Sequence, residues 1–218
     1  MRIIVEYIDL SKLLAFILDR YARYNGISLP TGSIGIIRVE NGASVTIVLD
    51  EVTSINAANI PVAVPRAFSP LQIESGAEVM LVLVDGTTNT FTCDSTDTGN
   101  EAINSAICVP VGASLTIKAQ SEGPGAGKLH ATAGAYSAAI GGNTNSLYGN
   151  ITIEGGIIKA HTRKIAGTST GAGIGGGGGN SSGSDFFEAS VGVITICGSA
   201  DVEASSWGRN STGNPICI

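Results

Sequence analysis

Apolar and polar residues alternate along most of this chain, and the alternation recurs at regular intervals. Three nine-residue segments align without a gap, namely Ile37–Val45, Leu71–Val79 and Ile107–Leu115. Each begins with apolar residues at every second position, continues through a Gly-Ala pair and starts a new alternation. Because the side chains of a β-strand point alternately to its two faces, this period of two predicts short strands with one buried face.

Two further copies carry the second half of the pattern, Gly149–Ile153 and Gly192–Ile196. The glycines at positions 42, 76, 112, 149 and 192 are 34, 36, 37 and 43 residues apart. A recurring period of this length indicates a repeat architecture, in which each repeat forms one structural unit. The growing interval places the insertions in loops, and the glycines fit corners that need a positive φ or a close backbone approach.

Each repeat contains three predicted strands, and stacking of the repeats brings equivalent residues into columns. The first strand gives the columns Val45, Val79, Leu115, Ile151, Ile194 and Ile47, Leu81, Ile117, Ile153, Ile196, with Thr46, Met80, Thr116, Thr152, Thr195 between them. The second strand gives Phe91, Leu129, Ile158, Val202 and then Cys93, Ala131, Ala160, Ala204. The third strand gives Leu71, Ile107, Ile140, Ile174 and Ile216.

These columns predict an all-β fold, a single-stranded right-handed parallel β-helix of about five coils over residues 34–218. One coil alone cannot bury its apolar residues, whereas coils stacked at a strand spacing of about 4.8 Å form continuous interior ladders. A β-sandwich also uses short strands at near-regular spacing, but it does not explain why one position of every repeat carries the same residue type.

Residues 1–33 break the pattern and form a separate segment. Between Asp9 and Tyr24 apolar residues recur at helical spacing, and Asn25-Gly26 supplies a helix stop. We expect an N-terminal amphipathic helix that caps the first coil or, alternatively, mediates self-association. At the other end, the predicted strand Pro215–Ile218 leaves an open edge, which a further subunit or a longer parent chain would cover.

Composition narrows the function classes. Glycine supplies 30 of the 218 residues and only 14% are charged, as expected of inward columns that exclude charge. The net charge of −6 argues against nucleic acid as a partner. The apolar runs are too short to span a bilayer, and two histidines leave little material for histidine-based catalysis.

The four cysteines are even in number, but the predicted register keeps them apart. Cys93 falls in an inward column, Cys108 and Cys217 share an outward column, and Cys197 points outward on another strand. Cys108 and Cys217 are three coils apart, or roughly 14 Å, whereas a disulfide needs Cα atoms within about 7 Å. We therefore expect no internal disulfide.

Charged and polar residues stack on outward positions of the second strand. The two columns are His130, Lys159, Glu203 and Thr132, His161, Ser205. We take the first column as candidate ligand-binding residues. The alternative is that opposite charges on neighbouring strands simply form cross-strand pairs.

Other candidate residues lie mainly in the insertions. Tyr136, Tyr148 and Trp207 are candidates for ligand binding, because sugar rings stack on exposed aromatic faces; the alternative is that these rings cover loop bases. Asp94 and Asp97 are weak candidates for Ca²⁺ ligands, since carboxylate oxygens are what Ca²⁺ prefers.

Four segments carry a resemblance to a known family: Gly76–Asn89, Ala139–Gly142, Ile151–Gly156 and Gly171–Gly177. They resemble bacterial cell-surface β-helix proteins built of Gly-Ala-Gly-Ile-Gly-Gly and Ile-Thr-Ile-x-Gly-Gly repeats. These proteins are similar in turn to the β-helical carbohydrate-binding domains of clostridia. The resemblance covers residues 37–218 and implies a carbohydrate binder or adhesin at the cell surface, with Ca²⁺ bound in some relatives.

We therefore expect a non-catalytic, extracellular or cell-surface protein that binds a glycan or polysaccharide, or acts as a structural adhesin module. One alternative is a polysaccharide-active β-helix enzyme that uses the His130, Lys159 and Glu203 column. Another is a subunit of a virion or filament that self-associates through the N-terminal helix or the C-terminal coil. We expect neither a nucleic-acid partner nor a membrane span, and no cofactor other than Ca²⁺.

Overall fold

The computed structural model describes residues 3–7, 16–17, 27–28, 35–57, 69–94, 104–134, 136–163, 171–178 and 192–206. This part of the chain is all-β and contains 18 strands and no helix. The strands form three sheets of seven, six and five strands. Among the described residues there is no helix with the length and hydrophobicity that a membrane span requires.

The first sheet contains the strands that begin each repeat. In spatial order its strands are β2 (Phe16–Ile17), β1 (Ile3–Tyr7), β4 (Gly35–Val39), β7 (Leu71–Ile73), β10 (Ile107–Cys108), β13 (Ile140–Gly141) and β16 (Ile174–Gly175). Pairing from β4 to β16 is parallel, whereas β1 pairs antiparallel with both β4 and β2.

The second and third sheets are parallel throughout. The second contains β3 (Ile27–Ser28), β5 (Ser44–Leu49), β8 (Glu78–Leu83), β11 (Ser114–Ala119), β14 (Asn150–Ile153) and β17 (Ile194–Ile196). The third contains β6 (Thr53–Ala57), β9 (Thr88–Asp94), β12 (Lys128–Ala133), β15 (Ile157–Thr162) and β18 (Asp201–Ser205).

From β4 onward the chain visits the three sheets in a fixed order, adding one strand to each. Repeats 1 to 5 are β4–β6, β7–β9, β10–β12, β13–β15 and β16–β18. Each repeat therefore lies beside the preceding one along three parallel ladders, an arrangement compatible with a parallel β-helix. It differs from a β-sandwich, in which the paired strands are antiparallel.

The apolar columns predicted for the second sheet are confirmed. The pairing joins Val45 to Val79, Leu115, Ile151 and Ile194 in a single column, and the Ile47 column and the threonine column follow the predicted register. The inward residues of repeats 1 to 4 are buried, from Val45 and Ile47 through Ile151 and Ile153. Repeat 5 is less covered, because Ile194 is only partly buried and Ile196 is 53% exposed.

The register predicted for the third sheet is correct from β12 to β18 but wrong by two residues at β9. Phe91 pairs with Ala131 rather than with Leu129, whose partner is Asn89. Cys93 is consequently displaced from the Ala131 column as well. The reason is that Asn89, a polar residue, occupies a fully buried inward position, and hydrophobic patterning assigns such positions to apolar residues.

The first sheet has the predicted column of Leu71, Ile107, Ile140 and Ile174, and Ile216 lies outside the described residues. Cys108 shares the outward column of Arg38 and Gln72 as predicted, but it is buried there rather than exposed. Its side chain is only 3% exposed, and Gln72 and Ser69 hydrogen bond to the thiol. This burial raises the pKa of Cys108 to about 11.

The described parts of the N-terminal segment are strands. β1 lies along β4, and β3 lies along β5, so both cover strands of repeat 1. Of the helix predicted between Asp9 and Tyr24, the structure describes only Phe16–Ile17, which pairs with β1 as a strand, and the rest lies outside the described residues. An exposed strand edge presents unpaired N–H and C=O groups, and pairing with β1 and β3 satisfies those of β4 and β5.

Candidate functional site

The outward side of the third sheet holds most of the polar side chains singled out from the sequence. We call this surface the third-sheet face. Its central column is Thr53, Thr90, His130, Lys159 and Glu203, and a second column contains Thr92, Thr132, His161 and Ser205. A third column contains Thr88, Lys128, Ile157 and Asp201. The predicted stacking of His130, Lys159 and Glu203 is therefore confirmed.

Alternation along each strand places these side chains outside. In β12, Leu129, Ala131 and Ala133 are fully buried, so Lys128 and His130 point to the opposite side of the sheet. The same pattern in β15 buries Ile158 and Ala160 and leaves Lys159 exposed. The small inward alanines keep the sheet close to the core, and the outward positions remain free for polar groups.

Four of the outward side chains form a connected cluster. Lys159 Nζ lies 3.3 Å from Glu203 Oε2, and His161 Nε2 lies 3.9 Å from Glu203 Oε1. On its other side, His161 Nδ1 shares a hydrogen bond of 2.6 Å with Ser205 Oγ. The Lys159 and Glu203 side chains are 46% and 60% exposed, so their ion pair contributes at most about 1 kcal/mol to stability.

His130 lies among several basic side chains. Partial burial lowers the pKa of His130 below its ordinary value, and Lys159, His161 and Lys128 lower it further. Glu203 is the one neighbour that acts in the opposite direction. Among the groups that act on the imidazole, cationic side chains therefore outnumber carboxylates, although the whole chain carries a net charge of −6.

The charges of the third-sheet face change along the stack of repeats. Repeat 2 presents hydroxyl groups at Thr88, Thr90 and Thr92. Repeats 3 and 4 present basic groups, and repeat 5 presents the carboxylates of Asp201 and Glu203. Sequence reasoning did not select Lys128 or these threonines as site residues. Lys128 could have been selected, because it lies two residues before His130 and therefore on the same side of the strand. The threonines could not, because the predicted register of β9 was wrong by two residues.

The predicted aromatic candidates are not gathered on this face. Tyr148 is partly buried and packs against the hydrophobic core, so part of its ring serves packing rather than ligand contact. Tyr136 is partly buried beyond the end of β12, where its backbone carbonyl accepts a hydrogen bond from Gly178 N. Trp207 lies outside the described residues.

The Ca²⁺ candidates stay a prediction. Asp94 is the last residue of β9, but the structure does not describe its side chain, and Asp97 lies outside the described residues. Among the side chains that are described, no three His, Cys, Asp or Glu groups are placed to hold a metal ion.

The described part of the chain is thus all-β, its repeats form three ladders of parallel strands, and one of these ladders has a polar outer face whose charge changes from repeat to repeat. Its donors and acceptors are partly oriented by contacts with one another, and they are half-exposed and therefore able to contact a ligand. No family model, curated protein or solved structure matches the chain.

Proposed function

We propose that the chain is a right-handed parallel β-helix that binds carbohydrate through the third-sheet face, as a non-catalytic module of an extracellular or cell-surface protein. The observation that carries this proposal is the column of Thr90, His130, Lys159 and Glu203, in which donors and acceptors stand side by side on four successive repeats. Partial exposure leaves each of these groups accessible to a ligand.

The spacing of the face suits a polyhydroxylated ligand. Neighbouring strands place equivalent groups about 4.8 Å apart, and outward residues of one strand are about 6.6 Å apart. Lysine and protonated histidine donate hydrogen bonds, carboxylates accept them, and threonine and serine do both. A sugar presents hydroxyl groups that donate and accept, so an extended saccharide lying across several repeats would find a partner on each one.

The rigidity of the sheet favours binding as well. Every described strand of repeats 2 to 4 is paired on both sides, and the inward side chains are close-packed. The outward groups are therefore held at fixed positions before a ligand arrives, which lowers the entropic cost of binding.

One observation favours a second candidate function, an enzyme acting on a polysaccharide. The 2.6 Å hydrogen bond between His161 Nδ1 and Ser205 Oγ joins a hydroxyl to a base, and Glu203 lies on the other side of the imidazole. This order of groups is that of an activated nucleophile. The 3.9 Å separation of His161 and Glu203 is too long for a hydrogen bond, which makes binding the better supported function.

A glycan-array screen of the purified chain tests the proposal, together with a His130→Ala/Lys159→Ala double variant. We expect the wild-type chain to bind at least one glycan class, and the double variant to bind it about tenfold or more weakly, because the charge-assisted contact of Lys159 and the hydrogen bond of the His130 imidazole are both removed. Lys118→Ala, an outward lysine on β11 of the second sheet, is the matched control and should bind like wild type.

Two results would contradict the proposal. A blank array would rule out carbohydrate binding for the sugars tested. Full binding by the double variant would rule out the third-sheet face as the binding site. Circular dichroism of each variant checks that the β-structure is kept. Turnover of a bound glycan, lost on Ser205→Ala, would replace the binding function with the enzymatic one.

A further inference from the structure

We propose that the ligand of the third-sheet face is an anionic saccharide, whose carboxylate or sulfate group binds between Lys128 and His130 beside the hydroxyls of Thr88 and Thr90. This inference rests on the proposed carbohydrate-binding function and specifies its ligand class. It is carried by the uneven distribution of charge over the five repeats.

The basic groups of the face differ in whether the protein already neutralises them. Lys159 and His161 both face Glu203, which is in the next repeat. Lys128 has Thr88 and Ile157 as its cross-strand neighbours, and neither carries a charge. Within the described residues no carboxylate forms an ion pair with Lys128. The charge of Lys128 is therefore available to an anion from outside.

His130 lies in the same strand as Lys128 and on the same side of it. The charged groups that face its imidazole are Lys128 from β12, Lys159 and His161 from β15, and Glu203 from β18, while β9 presents threonines. One carboxylate thus opposes up to three cationic groups. A bound anion would relieve this imbalance, and it would gain from a protonated His130 as a second cationic donor.

The threonines of β9 complete the binding surface. Thr88 and Thr90 lie directly beside Lys128 and His130 in the neighbouring strand. Their hydroxyls can donate to an oxyanion or exchange hydrogen bonds with sugar hydroxyls, and they add no negative charge that would repel the ligand. The opposite end of the face carries Asp201 and Glu203, so an acidic chain is directed toward repeats 2 and 3.

This arrangement predicts that binding strengthens as the pH is lowered. The pKa of His130 lies below its ordinary value of 6.5, so the imidazole is mostly neutral at pH 8 and gains charge as the pH falls toward 5. A uronic acid stays ionised over this range, because ordinary carboxyl groups titrate near pH 4. The affinity for an acidic saccharide is expected to rise as the pH falls, and no such pH dependence is expected with a neutral saccharide.

The experiment measures binding of alginate oligosaccharides, dextran sulfate and neutral dextran to the full chain by calorimetry, in Ca²⁺-free buffer at pH 5 and pH 8. We expect binding of alginate, dextran sulfate or both, tighter at pH 5, and no binding of dextran. Lys128→Gln should raise the Kd about three- to tenfold, as removal of one partly exposed charge contact does. Lys118→Gln, which changes the net charge equally, should leave the Kd unchanged.

Comparison of the two acidic polymers shows which anionic group is bound, since alginate carries carboxylates and dextran sulfate carries sulfates. Equal binding of dextran and the acidic polymers, or equal effects of Lys128→Gln and Lys118→Gln, would overturn the anion site and leave the proposed carbohydrate function standing. Failure of every saccharide here and on the array would overturn both. Tighter binding of duplex DNA than of either acidic polymer would overturn the saccharide class. His130→Gln should reduce the difference between pH 5 and pH 8.

Discussion

Asn89 accepts a hydrogen bond from the backbone N–H of Val52 through its side-chain oxygen, across 2.9 Å. Val52 belongs to repeat 1 and Asn89 to repeat 2, and the Asn89 amide nitrogen also donates to the backbone oxygen of Lys128 in repeat 3, at 3.2 Å. The side chain is fully buried. One carboxamide therefore joins three successive repeats in the interior, where each buried polar group needs a partner.

Replacement of Asn89 by Leu should destabilise the protein by about 2–4 kcal/mol, although the two side chains have the same branching and the same number of heavy atoms. Leucine would leave the Val52 N–H buried without its partner, which costs about 1–3 kcal/mol, and would remove the hydrogen bond to the Lys128 carbonyl, worth about 0.5–1.5 kcal/mol. Urea unfolding followed by circular dichroism measures the change. Thr88→Ala, at the exposed neighbouring position, should stay within about 0.5 kcal/mol of wild type. An Asn89→Leu variant as stable as wild type would show that the two backbone groups find other partners.

Phe91→Ala should cost about 3–5 kcal/mol, because the ring is fully buried and its loss leaves a cavity. Since Phe91 lies in register with Ala131, Ala131→Leu on its own should overpack the same space. The double variant should then be more stable than the sum of the two single effects predicts, because the added leucine fills the cavity. Additive effects for this pair would contradict the observed register and favour the one that places Phe91 beside Leu129.

Two glycines of the repeat should respond differently to alanine. Gly42 has a φ of +70°, and an added Cβ would meet no atom within 4 Å, so Gly42→Ala should cost about 1–2 kcal/mol from backbone strain alone. At Gly149 an added Cβ would overlap the backbone oxygens of Ala113 and Pro110. Gly149→Ala should therefore cost more, about 3 kcal/mol or above, because two backbone segments must move. Equal costs in urea unfolding would contradict the close approach at Gly149.

Cysteine reactivity should follow burial. Cys197 is exposed, whereas Cys93 and Cys108 are buried, and the pKa of Cys108 is raised to about 11, so its reactive thiolate is scarce at pH 8. In a Cys217→Ser variant, one thiol should react with a chromogenic disulfide reagent within seconds, and two more should react only after urea is added. Mass mapping identifies the fast site. Rapid labelling of Cys108 in the folded protein would contradict its burial.

The stability of the protein should fall on the acid side in part through His130. Its pKa in the folded state is lowered, so protons bind more readily to the unfolded chain. The contribution of the neutral imidazole is complete above pH 6.5 and is lost as the pH falls toward the lowered pKa. His130→Gln should therefore lose less stability between pH 8 and pH 5 than wild type, measured by the urea midpoint. An equal or larger loss in the variant would contradict this sign.

Much of the second sheet follows from the sequence alone. A period of two determines which side of a strand is buried, and repetition of Gly-Ala before Val45, Val79 and Leu115 sets the alignment of one repeat on the next. The pairing of these three residues agrees with that alignment. The stacking of His130, Lys159 and Glu203 could be predicted for the same reason, since their strands are bounded by apolar columns that permit one register.

Three features depended on the tertiary structure. The register of β9 is set by the hydrogen bonds of a buried Asn89, and a polar residue gives no inward signal in a hydrophobic pattern. Cys108 is buried on the outer side of its sheet because Ser69 and Gln72 lie against it, and these neighbours are distant in sequence. The antiparallel pairing of β1 with β4 could not be predicted, because the open edge of β4 exists only once the first repeat has formed.

The sequence by itself therefore determined most strands of the repeats, most of their buried sides and most of the ladders, because these depend on local alternation and on repetition along the chain. Only the tertiary structure decided which basic groups of the third-sheet face are neutralised and which are not. The ion pair of Lys159 with Glu203, and the uncharged neighbours of Lys128, follow from contacts between strands that are far apart in the sequence. Such contacts depend on distance in space, which a pattern of residue types does not contain.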